Sequence, residues 1–64
     1  MNTIRLTPGN VFRYIGKQII FKNKNKTAIL SRIVSVSDTG KTIYVDNQRY
    51  KGNLVLSRKI HVIL

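Results

Sequence analysis

Three features of this sequence predict an all-β fold, a small five-stranded barrel that a short helix could precede. After residue 16, Ile, Val, Thr, Tyr and Phe crowd into short runs, the composition that suits a pleated, half-buried surface. Gly, Asn, Asp and Lys clusters punctuate those runs at short intervals. The chain has 64 residues with 42% of them hydrophobic, enough for one compact core and no more, so residues 1–64 are read as a single domain.

The first fifteen residues admit two readings. Thr7-Pro8-Gly9-Asn10 resembles a helix start, with Thr7 as cap and Pro8 in the first helical position. Val11, Phe12, Tyr14 and Ile15 would then form one apolar stripe; the alternative is an extra strand over 11–15 after a Pro-Gly turn. Residues 16–22 predict a first strand and residues 23–26, Asn-Lys-Asn-Lys, a turn. Residues 27–37 predict a long second strand. Its apolar sequence, Ala28, Leu30, Ile33, Val34 and Val36, slips phase around Ser31-Arg32, which predicts a bend or bulge there. Asp38-Thr39-Gly40-Lys41 is a turn with Gly where positive φ is wanted. Residues 42–46 form a third strand with Ile43 and Val45 on one face and Tyr44 on the other. Residues 47–52 read as turn, and residues 54–57 and 60–64 as two short strands pinched at Arg58-Lys59. Closure into a barrel is expected over an open meander, whose unpaired edges invite aggregation.

The same residues exclude several kinds of chemistry. Without cysteine there is no disulfide, thiolate metal site or thiol nucleophile. Gly9, Gly16, Gly40 and Gly52 are isolated and make no phosphate-cradling loop. Asp38 and Asp46 lie about 25 Å apart along an extended strand, too far for paired acid–base work. His61 alternates with Ile60 and Val62 and faces outward as a surface histidine. No enzyme activity, metal or cofactor is expected. No uncharged run approaches the roughly 20 residues of a membrane span, and residues 1–10 lack a signal-peptide layout. No membrane association is expected, and an intracellular or virion-interior setting is.

Charge carries the functional signal. Twelve Lys and Arg stand against two Asp, a net charge of +10. Solvated faces normally mix both signs, so an excess this large implies a polyanion as partner. In a meander, alternate turns fall at one end. Lys22, Lys24 and Lys26 of the first turn are therefore expected beside Arg49, Tyr50 and Lys51 of the third, with Tyr50 as the aromatic that stacks a base. Lys41, Arg58 and Lys59 would gather at the opposite end as a secondary site. Tyr14 reads as core packing and Tyr44 as a cross-strand packing residue. Residues 54–56 and 60–64 are apolar on both faces. The surplus at Val55, Ile63 and Ile29 would be covered by the amino-terminal helix or by a second subunit, and the last strand would pair edge to edge with a neighbour.

A helix over 8–15 leading into Ile15-Gly16-Lys17, the strand Gln18-Ile19-Ile20-Phe21-Lys22, the Asn25-Lys26 turn, the bent strand, the Asp38 turn, Ile43-Tyr44-Val45 and Leu56-Ser57-Arg58-Lys59-Ile60 follow one another in this order. That layout resembles the Sm-like family, which includes the Hfq proteins, over roughly residues 8–64. Ser31 and Lys26 stand where that family usually has glycine, and its Arg-Gly and Tyr-Lys-His signatures do not occur near Arg58. The resemblance implies a ring of subunits binding uridine-rich RNA through residues 38–41 with Arg58 and Lys59. SH3-like and Tudor-like barrels share the strand pattern.

The expected function is nucleic-acid binding, RNA ahead of DNA, mainly through phosphate contacts with little base specificity, since no positioned set of base-reading side chains is evident. The alternatives are a structural component of a larger assembly (ribosome, virion or nucleoprotein particle) and a viral-type inhibitor that covers an acidic or nucleic-acid-binding protein surface.

Overall fold

The computed structural model describes residues 2–64; the expectation that residues 1–10 lack a signal-peptide layout includes Met1, which lies outside them. The chain forms β1 (Thr3–Arg5), a 3-10 helix (Val11–Tyr14), β2 (Gln18–Lys22), β3 (Ala28–Val36), β4 (Thr42–Asn47), β5 (Tyr50–Val55) and β6 (Ile60–Ile63). The all-β expectation holds. The five-stranded barrel does not: six strands make one antiparallel sheet in the order β1-β6-β2-β3-β4-β5, with β1 and β5 as open edges. No helix among the described residues is long and apolar enough to cross a membrane.

β3 explains the shape. Its first half pairs with β2 and its second half with β4, so one strand belongs to both β1-β6-β2-β3 and β3-β4-β5. The register shifts between Ile33, opposite Val45, and Ser35, opposite Tyr44. The extra residue is Val34, two positions beyond the expected slip at Ser31-Arg32, and the reason is Ser31. Its side chain is 0% exposed and faces the core, so the inward set runs Ile29, Ser31, Ile33 rather than Ala28, Leu30. Burying a hydroxyl is tolerated only when it is bonded, and Ser31 Oγ donates to the Tyr50 carbonyl at 3.0 Å. One cluster of buried side chains fills the fold of the bent sheet: Ile19 and Phe21 from β2, Ile33 from β3, Ile43 and Val45 from β4, Leu54 from β5, Ile60 and Val62 from β6, with Val11 from the 3-10 helix and Leu6 and Leu56 from the connections.

Three further expectations need correction. The residues after Thr7 form neither an α-helix nor a strand. The 3-10 helix turns three residues per repeat, so Val11 and Tyr14 face the core while Phe12 stays 53% exposed. Thr7 does not cap it; Asn10 Oδ1 instead accepts the Thr7 N–H at 2.9 Å. The turn expected over 47–52 is only Gln48-Arg49, because Asn47 pairs with Tyr50 in a two-residue hairpin. Gly52 does not break β5: the Tyr50 ring lies over it, with Oη 3.5 Å from where a Cβ would stand. Finally, β6 has no free edge for a neighbour. It lies between β1, opposite Thr3 to Arg5, and β2, opposite Ile19 to Phe21.

Candidate nucleic-acid interface

Residues directly opposite in paired strands share a face. In the four-stranded half the core face takes Ile19, Phe21, Ile60 and Val62, so the alternate residues form the outer face. One row there runs Arg5, His61, Ile20, Leu30 across β1, β6, β2 and β3. The next row towards the end of β2 holds Lys22 opposite Ala28. Ile20, Leu30, His61 and Ile63 are half-buried, which makes the middle of this face apolar with cations around it.

A cleft of ≈ 390 Å³ opens on this face. Ile20, Ala28 and His61 line it from the strands, Phe21 borders it, and Lys22, Arg58 and Lys59 supply its charge. Arg58 is held in place: Nη2 donates to the Lys22 carbonyl at 2.9 Å, and its guanidinium carbon lies 5.2 Å from the centroid of the Phe21 ring. A cation over an aromatic face contributes about 0.5–1 kcal/mol at exposed sites. The two contacts fix a side chain that would otherwise sweep solvent, so less freedom is lost when it meets a ligand.

This placement overturns the secondary cluster. Arg58 and Lys59 were expected beside Lys41, on the rule that alternate turns share an end. The 56–59 connection instead crosses the molecule. It starts beside Lys41, whose carbonyl accepts the Leu56 N–H at 2.8 Å, and ends where Ile60 pairs with Phe21. The bend in β3 turns the two halves of the sheet relative to each other, so the rule fails at this connection. Lys41 is left in a separate, shallower hollow of ≈ 260 Å³ with Pro8, Val55, Leu56 and Ser57. Val55 remains 53% exposed there, so the amino-terminal segment approaches it at Pro8 without covering it.

The first and third turns were expected to meet; the contact the structure shows nearby is between Phe21 and Tyr50. Phe21 and Tyr50 pack edge to face, centroids 5.2 Å apart at 78°, one residue from Lys22 on β2, from Arg49 in the β4–β5 turn and from Lys51 on β5. Lys24 and Lys26 are exposed in the turn that follows β2, and Arg49 is exposed in the β4–β5 turn. Asn23 Oδ1 shapes the first turn by accepting the N–H groups of Asn25 at 2.9 Å and Thr27 at 3.0 Å. The Tyr50 ring, by contrast, is half-buried against Phe21 and Gly52 and packs on the core rather than standing free.

Both carboxylates lie away from the cleft. Asp46 is opposite Lys51 on the outer face of β4-β5, and Asp38 is in the β3–β4 turn. Lys51 therefore has an acid as its direct neighbour, whereas none of the residues lining the cleft is acidic. Charge reasoning alone missed Ile20, Ala28 and His61 as lining residues; the period-two alternation around Phe21 and Ile60 is the signal that places them outside. No protein-family model, curated protein or solved structure matches this chain, so the likeness to the Sm-like family rests on the residues that suggested it.

Proposed function

We propose that this chain is a non-enzymatic nucleic-acid-binding protein, RNA ahead of DNA, whose contact surface is the outer face of β1-β6-β2-β3. The observation that supports it best is the convergence of Lys22, Arg58 and Lys59 on one cleft without a carboxylate among its lining residues. Phosphate neutralisation dominates affinity at such a surface and confers little base specificity. Lys24 and Lys26, in the turn after Lys22, extend the basic track along the chain, and Arg5 continues it beside His61.

The test is fluorescence anisotropy with a single-stranded RNA over roughly 50–200 mM salt. The double variant Lys22→Gln/Lys59→Gln removes two cleft cations and should flatten the log–log salt slope by about 1.4, at about 0.7 per phosphate contact on a single strand. Lys41→Gln, in the separate hollow, should leave the slope within error of the parent. Equal losses per charge removed would mean diffuse charge rather than a site, and absent binding at the lowest salt would refute the reading. The exposed Phe12 and Val55 favour a second reading, a component of a larger assembly in which a partner covers them. A protein that stays monomeric and soluble without any partner counts against it.

A further inference from the structure

We infer that the cleft on the outer face receives one unpaired nucleotide, so that the preferred ligand is single-stranded rather than duplex. This rests on the nucleic-acid reading above and goes beyond it. A surface built for phosphate contact alone needs cations on a polar sheet. Here the cations surround a floor of Ile20, Ala28 and His61, two aliphatic side chains and a flat imidazole. A duplex presents phosphates outward and hides its base faces in the stack, so it would leave that floor unused. A single strand offers phosphate and an exposed π-face together, and histidine rings and arginine planes are among the groups that take splayed bases.

Size and rigidity agree. A volume of ≈ 390 Å³ falls at the small end of ligand pockets, which span about 300–1,000 Å³, and suits one nucleotide rather than a run of them. Arg58 is anchored at the cleft by the Lys22 carbonyl and the Phe21 ring, with the rest of its donors uncommitted among the described residues. Lys22 and Lys59 flank it, which places phosphate-binding charge next to the apolar floor. Arg5, opposite His61 in register, offers the adjoining phosphate a contact beyond the cleft.

Three probes of equal length separate the outcomes: a single-stranded oligonucleotide carrying one 2-aminopurine, the same strand annealed to its complement as a blunt duplex, and a strand of abasic sites. At equal salt the single strand should bind about tenfold or more tighter than the abasic strand, as expected for one stacked base, and the 2-aminopurine emission should change on binding. Ala28→Leu fills the cleft without altering charge at an exposed position, and His61→Ala removes the flat ring. Each should remove most of that preference, bringing the affinity of the single strand down towards that of the abasic strand, with thermal unfolding confirming that the variant is folded. Equal affinity for all three probes, untouched by both variants, would overturn the nucleotide cleft and leave the nucleic-acid reading standing. No salt-dependent binding to any probe would overturn both.

Discussion

Lys26 has a positive φ, 61°, the only such value for a non-glycine residue among the described residues. A side chain there costs about 1 kcal/mol, because Cβ crowds the neighbouring carbonyl. The turn is nonetheless secured, since Asn23 Oδ1 accepts two N–H groups and the Asn23 carbonyl accepts the Lys26 N–H at 3.0 Å. Lys26→Gly should therefore raise the urea midpoint, by an amount equivalent to about 0.5–1 kcal/mol. A lowered midpoint would mean that the glycine's extra freedom in the unfolded chain outweighs the relief. Ser31 and His61 show what residue type alone conceals. A serine reads as surface until its acceptor is known, and the Tyr50 carbonyl lies nineteen positions away. A histidine between Ile60 and Val62 was legible as outward-facing, but not that Ile20 would stand beside it.

Elements were legible in proportion to their alternation. β2, β3, β4 and β6 fall within two residues of their expected bounds; β2, β4 and β6 carry apolar residues at every second position, and β3, whose alternation Ser31 interrupts, is bounded by the turns on either side. β1 has one apolar residue in three, too little for a pattern, and β5 contains Gly52, which reads as a breaker until Tyr50 is seen to cover it. The β3–β4 turn was read correctly, yet its second role was hidden. Gly40 has φ 73°, and a Cβ there would come 3.1 Å from the Pro8 carbonyl oxygen and 3.2 Å from Phe12 Cε2. The turn is thus the seat on which the amino-terminal segment rests. Gly40→Ala should destabilise by about 1–3 kcal/mol, combining left-handed strain with a backbone clash. Hydrogen exchange should quicken at Asn10 and Val11, whose N–H groups bond the Thr7 carbonyl at 3.1 and 2.9 Å. Exchange accelerated only at residues 37–42 would show that the segment is held elsewhere.

At the scale of the whole molecule, the bend in β3 redistributes charge that the linear order would have divided between two ends. It brings Arg58 and Lys59 to Lys22 and leaves the two aspartates on β4 and in the turn before it. The candidate site was therefore half legible: its cations could be counted, but their partition depends on an angle between sheet halves that no local pattern encodes. The position of β6 between β1 and β2 has a consequence in time. The β2-β3, β3-β4 and β4-β5 hairpins close over short loops, whereas Thr3 meets Ile63 across nearly the full chain. Long-range pairings tend to follow the local contacts that make their loops cheaper to close. Ile4→Ala should accordingly speed unfolding in stopped-flow measurements while leaving the refolding limb almost unmoved; a slowed refolding limb would place β1 in the nucleus instead. During synthesis the order is sharper still: β1 is made before the other five strands, and it stays without its partner until the residues of β6 have been made.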